Sequence, residues 1–169
     1  MKLNIFQCIQ LCCFRQKNND NIIHKMSSDL VNLLENIEYS DTIPFVPPIT
    51  YGKVIKVYDG DTITIASLLP NTIEPIYRFS IRLNGIDTPE IRGKTEEEKE
   101  LAIHVRDALA EKIYGKIVEL RNVGNEKYGR VLADVYLGDE NINQWLVDEN
   151  FAVSYDGGKK HRPASWGTI

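Results

Sequence analysis

Hydrophobic positions along this chain follow two rhythms, and the change between them sketches the fold. In residues 77–83, Tyr77, Phe79, Ile81 and Leu83 alternate with Arg78, Ser80 and Arg82, which predicts a strand with one apolar face and two guanidiniums on the other. Before it, V-I-K-V-Y (54–58) and D-T-I-T-I-A (61–66) flank Asp59-Gly60 and read as a hairpin closed by a tight Asp-Gly turn. Residues 69–75 make a longer loop. The period then lengthens: Leu101, Val105, Leu109 and Ile113 recur every four residues, predicting a helix laid on a sheet. Thr95 and Glu98 form a capping box at its start, and Gly115 stops it. Alternation resumes at 116–122 and 130–137, on either side of a polar loop at 124–129. After a turn at 138–141, Ile142, Trp145 and Leu146 predict a short helix over 142–149, followed by an extended segment at 151–155.

The resulting order is β-β-β-α-β-β-α. Five short strands with helices predict a small α+β domain, a five-stranded barrel of the oligonucleotide-binding (OB) type, over 51–165. Residues 1–50 read as an N-terminal extension: a tail, a short helix at 28–38 with Leu30, Leu33, Leu34 and Ile37 as its stripe, and a linker containing Pro44, Pro47 and Pro48. The extreme N-terminus admits three readings. It has a lysine and an apolar run, as a signal peptide does, but polar residues interrupt the run and no small-residue cleavage site follows. Cys12-Cys13 beside Arg15 and Lys17 would suit an acylated tether to a membrane surface. An unmodified tail is the simplest reading. Secreted, tethered and intracellular locations all fit.

Composition narrows the chemistry. The chain has 169 residues, 43% of them hydrophobic, enough for one core. All three cysteines (Cys8, Cys12, Cys13) precede the domain, so no disulfide framework supports it. A net charge of -4 argues against electrostatic coating of nucleic acid, though not against a locally basic cleft.

The stretch at 81–90, I-R-L-N-G-I-D-T-P-E, concentrates the candidate chemistry. Asn84-Gly85 ends the strand pairing, and Asp87 and Glu90 stand three positions apart on a loop stiffened by Pro89. An arginine at a strand end with two acids just beyond supplies oxygen ligands for a hard cation and a guanidinium for a phosphoryl group.

V-Y-D-G-D-T, R-L-N-G-I-D-T-P-E and K-Y-G-R-V-L-A-D-V-Y together resemble the motifs of the staphylococcal nuclease (thermonuclease-like) family, in order and in spacing, over about residues 51–155. The resemblance implies hydrolysis of phosphodiester bonds in DNA, RNA or both. It implies one Ca²⁺ held by Asp61, Asp87 and the backbone carbonyl of Thr88. Glu90 then corresponds to the carboxylate that positions or deprotonates the attacking water. Arg82 and Arg130 correspond to the guanidiniums on the scissile phosphate, and Lys127 and Tyr128 to the pair on a neighbouring terminal phosphate. Tyr155 matches an aromatic near the base pocket. No obligate protein partner is implied. The other reading on the same fold is a non-catalytic module that binds nucleic acid or protein. Such a module has no chemical need of acids, which repel phosphate unless a cation lies between. Taken singly, each residue also has an ordinary role, as turn, solvated strand or polar loop. The Glu96–Glu100 acidic run reads most simply as a solvated helix start.

Overall fold

The computed structural model describes residues 28–158 together with Pro163 and Trp166. The expectations for Cys12, Cys13 and the rest of the extreme N-terminus lie outside these residues. The chain divides into two units between Pro44 and Phe45. In the first, helix α1 covers 28–34, four residues short of the expected 38, and a 3-10 helix follows at Tyr39–Asp41. The apolar stripe of α1 does not find a core: Leu30, Leu33 and Leu34 are all exposed.

The second unit is the barrel. Strands β1 (Tyr51–Val57), β2 (Thr62–Ser67), β3 (Tyr77–Leu83), β5 (Ile117–Asn125) and β6 (Val131–Leu137) pair antiparallel in the order β3-β2-β1-β5-β6. Parallel pairing of β3 with β6, Ile81 against Val131 and Leu83 against Ala133, closes the ring. Helix α2 (Glu96–Ile113) connects β3 to β5, and α3 (Ile142–Asp148) follows β6. This is the expected five-stranded OB-like barrel. Alternate residues fill it: Val54, Ile63, Ile65, Ile81, Leu83, Val118, Ala133 and Val135 are almost wholly buried, with Val105, Leu109 and Ile113 of α2 and Ile142 and Leu146 of α3 packed against them. Exclusion of this apolar surface from water is what drives closure. On α2 the buried stripe begins at Glu98 and Ala102, whereas Leu101 is only partly covered.

Several local details differ from the pattern-based reading, each for a physical reason. Asp59-Gly60 is not a two-residue turn. Val57 pairs with Ile63, and the Tyr58 N–H donates to the Thr62 carbonyl at 2.9 Å, so a wider loop intervenes. Gly60 has no positive φ, and a Cβ there would lie 2.6 Å from Val105 Cγ1 and 2.9 Å from Thr88 Cβ. Glycine is required because the loop presses against α2 and residue 88, not because the backbone turns there. Strand β5 runs through Asn125 into the expected 124–129 loop, crossing an irregularity between Arg121 and Gly124 where Asn122 adopts φ 51°.

Nor does the chain leave the sheets after Asn84-Gly85. Residues Ile86–Asp87 (β4) pair antiparallel with Val153–Ser154 (β8), and Glu140–Asn141 (β7) pairs back on β6. The Tyr155 N–H donates to the Gly85 carbonyl at 2.8 Å, extending the clasp. Asn143 locks α3 beneath it. This residue is 5% exposed; it accepts from Val135 N at 3.0 Å and donates to the carbonyls of Asn84 (2.8 Å) and Ala133 (3.3 Å). Asn143→Ala would leave the Val135 amide and the Asn84 carbonyl without their buried partner, at a cost of about 2–3 kcal/mol. Equilibrium urea unfolding should show that loss; a variant as stable as the parent would mean that water replaces the amide at no cost.

Candidate active site

Three separate pieces of chain bring the candidate residues together. The loop before β2 carries Asp61, the end of β3 carries Arg82, and β4 with the loop after it carries Asp87, Thr88 and Glu90. Arg82 is the hub and is buried, 7% exposed, where its strand alternation alone suggests a solvated face. Its Nη1 donates to the Leu83 carbonyl at 2.7 Å and its Nη2 to the Ile86 carbonyl at 2.8 Å. The same Nη2 lies 3.0 Å from Asp61 Oδ2 and 3.4 Å from Asp87 Oδ1. Two buried carboxylates therefore share one guanidinium nitrogen.

Asp61 is tied in further. It accepts from the hydroxyls of Thr62 (2.9 Å) and Thr88 (3.2 Å), and its amide donates to Asp59 Oδ1 at 3.2 Å. Burial pushes the Asp61 carboxyl up from its usual 3.8 to about 7; Arg82 works against the rise, while Asp59 and Asp87 add to it. The ion pair with Arg82 is thus outweighed by desolvation and like charge.

Arg130 joins the same network from the start of β6. Its Nη1 donates to Thr62 Oγ1 at 3.2 Å, so one threonine hydroxyl links Arg130 to Asp61. Thr62 sits directly opposite Arg82 in the β2–β3 ladder, which is why the two arginines converge. The Arg130 Nε lies 3.3 Å from Glu126 Oε2, which also accepts from the Tyr128 amide at 2.9 Å. Burial would raise the Glu126 carboxyl, but the Tyr128 amide and Arg130 overcome it and hold it below the usual range.

A cleft of about 550 Å³ opens over this network. Asp59, Asp61, Arg82, Glu90 and Arg130 line it, with Lys127, Tyr128 and Tyr155 around its rim. Glu90 is exposed, and Tyr128 is 75% exposed with Lys127 Nζ 4.9 Å from its ring centre. Tyr155 donates its hydroxyl to the Gly158 carbonyl at 3.0 Å. Asp87 and Thr88, 3% and 2% exposed, lie beneath and are not part of the cleft wall. Thr62, Glu126 and Asp59 carry the network without having been singled out in the sequence. The D-G-D-T motif contains two of them, and the ladder position of Thr62 opposite Arg82 was the available signal.

The donor set suits a hard cation. Two carboxylates next to a carbonyl-bearing loop present oxygen ligands of the kind Ca²⁺ prefers. Among the described residues no group of three or more His, Cys, Asp or Glu has metal-binding spacing, so an ion here would rest on two carboxylates, a backbone carbonyl and water. No helix of the described residues is long and apolar enough to cross a membrane.

A family model described as staphylococcal nuclease homologue matches residues 80–165, just over half of the chain. Asp61 and Thr62 precede the matched residues. An uncharacterized endonuclease of Haemophilus influenzae is 32% identical over 103 residues, 61% of this chain and 51% of the relative. An uncharacterized endonuclease of Escherichia coli is 30% identical over 107 residues, 63% of this chain and 61% of the relative. A thermonuclease of Staphylococcus hyicus is 32% identical over 102 residues, 59% and 56% of the two chains. The chain thus spans 51–61% of the length of these curated relatives.

Asp61 gives the cluster a pH signature. A carboxyl raised on folding favours the protonated native state. Its effect is therefore neutral below the unfolded value of 3.8 and increasingly destabilising as pH climbs to about 7. In chelator, the wild-type protein should lose about 2–3 kcal/mol relative to Asp61→Asn between pH 5 and pH 8. Urea unfolding of both proteins at the two pH values measures it; a difference independent of pH would show that Arg82 neutralises Asp61 in full.

Proposed function

This chain belongs to the family of staphylococcal nuclease homologues, and from that premise we propose that it is a Ca²⁺-dependent nuclease that hydrolyses phosphodiester bonds in DNA, RNA or both. The observation that carries the reading is the convergence of Asp61, Arg82, Glu90 and Arg130 on one cleft, with Asp61 and Asp87 sharing Arg82 beneath it.

Asp61, Asp87 and the Thr88 carbonyl would hold the ion. When bound, Ca²⁺ supplies positive charge next to a phosphate oxygen and a place for water. The chain's own residues do the rest. Glu90, exposed on the cleft wall, accepts a proton from the attacking water, whose oxygen displaces the leaving oxygen in line at phosphorus. Among the described residues, the Arg82 Nη2 is committed to Ile86 and the two carboxylates, so Nε and the remaining Nη1 hydrogen would be the donors for phosphate oxygens. Arg130, fixed through Nε by Glu126 and through Nη1 by Thr62, presents Nη2. Planar donors held in advance at the developing negative charge lower the barrier without reorganising. Lys127 and Tyr128 would meet a neighbouring phosphate, and Tyr155 a base. The acids themselves favour a nuclease over a binding module: buried carboxylates beneath a phosphate site repel substrate unless a cation intervenes.

Arg82 and Arg130 will respond differently to mutation. Removing Arg82 leaves Asp61 and Asp87 buried without their shared cation, so Arg82→Ala should lose both activity and stability. Glu90 is exposed and Arg130 half-buried, so Glu90→Gln and Arg130→Ala should fold normally and lose roughly 10²–10³ in kcat. Steady-state cleavage of single-stranded DNA and RNA, alongside thermal melts, tests this; folded variants with near-normal turnover would sink the assignment.

A further inference from the structure

Glu98 belongs to an acidic run that reads as a solvated helix start, yet it is 2% exposed. Its amide makes the expected cap, donating to Thr95 Oγ1 at 3.2 Å. Its carboxylate does not close the capping box onto residue 95. Instead Oε2 accepts from the Lys94 amide at 3.0 Å and Oε1 from the Glu90 amide at 3.4 Å. Both ends of the 90–94 loop therefore point a main-chain N–H at one buried carboxylate. The loop also closes on itself, the Gly93 amide donating to the Glu90 carbonyl at 2.7 Å.

Gly93 carries the complementary half of the arrangement. A Cβ at this position would fall on the Glu98 carboxylate, 2.2 Å from Oε2 and 2.4 Å from Cδ, and Gly93 has no positive φ to account for the missing side chain. The glycine is there to let the carboxylate in. A helix cap would require none of this, because capping needs only the hydroxyl of Thr95.

We infer that Glu98 is a positioning residue: by binding the amides at both ends of the 90–94 loop it fixes Glu90 against the cleft. The inference rests on the reading of Glu90 as the base that accepts the proton of the attacking water. Water activation depends steeply on where the base stands, and a displacement of about 1 Å can cost on the order of 10²-fold. Glu98 touches neither substrate nor reacting atoms; it acts through the loop.

The test is steady-state cleavage of a single-stranded oligonucleotide at saturating Ca²⁺ by wild type, Glu98→Ala, Gly93→Ala and the double variant, with Glu90→Gln as reference. Glu98→Ala should lower kcat by roughly 10–100-fold while KM and the calcium midpoint stay unchanged. Gly93→Ala alone should do the same by displacing the carboxylate, and in the Glu98→Ala background it should add nothing. Amide exchange at Glu90 and Lys94 should quicken in the folded variants. A folded Glu98→Ala or Gly93→Ala protein with wild-type kcat overturns the inference, as do additive effects or a loss confined to KM. Should Glu98→Ala unfold, Gly93→Ala decides by the same criteria. An inactive wild type overturns this inference together with the nuclease reading; an active wild type with a dead Glu90→Gln and unaffected Glu98 and Gly93 variants overturns this one alone.

Discussion

Burying an arginine in a small barrel is costly unless its donors are matched, and Arg82 is matched by two carbonyls and two carboxylates drawn from four separate positions. Three different parts of the fold fix those acceptors. The Ile86 carbonyl and Asp87 belong to the short β4–β8 sheet, Asp61 to the loop that Gly60 seats against α2, and Leu83 to the strand that closes the barrel. The guanidinium therefore acts as the keystone of this end of the molecule. Its geometry depends on the barrel, and the approach of Asp61 to Asp87 depends on it.

Even so, the interaction with Arg82 does not offset the burial of Asp61. One guanidinium faces Asp61 and Asp87, with Asp59 adding to the field, and the Asp61 carboxyl rises to about 7 despite the ion pair. Thr62 then couples the acidic cluster to Arg130, and Glu126 holds Arg130 from the other side. A few side-chain hydrogen bonds thus tie the acids and both guanidiniums into one network at the cleft.

Much of this was legible in the chain. The five barrel strands and α2 announce themselves through alternation and four-residue spacing, because their inward residues all meet one core. Asp61, Arg82, Asp87, Glu90 and Arg130 could be grouped through motifs whose order and spacing resemble a family; periodicity alone would have left each a surface residue. What stayed hidden depends on neighbours distant in sequence. The two-residue strands β4, β7 and β8 are too short to carry a period. Gly60 looked like a turn glycine and is one of close approach. Arg82 alternates like a solvated residue and is buried by β4, which the pattern did not show. Glu98 sits among exposed acids, and the 90–94 loop that folds over it, whose Lys94 amide it accepts from, carries no period that would announce its burial.

The account stands on the claim that the acidic cluster and the two arginines form one metal-assisted phosphodiesterase site. Incubation of the full-length protein with a labelled single-stranded oligonucleotide, in Ca²⁺ and in chelator, tests it most directly. The account predicts strand cleavage in Ca²⁺ that chelator abolishes and added Ca²⁺ restores. Cleavage that persists unchanged in chelator, or a folded protein that leaves both DNA and RNA intact in Ca²⁺, would contradict it.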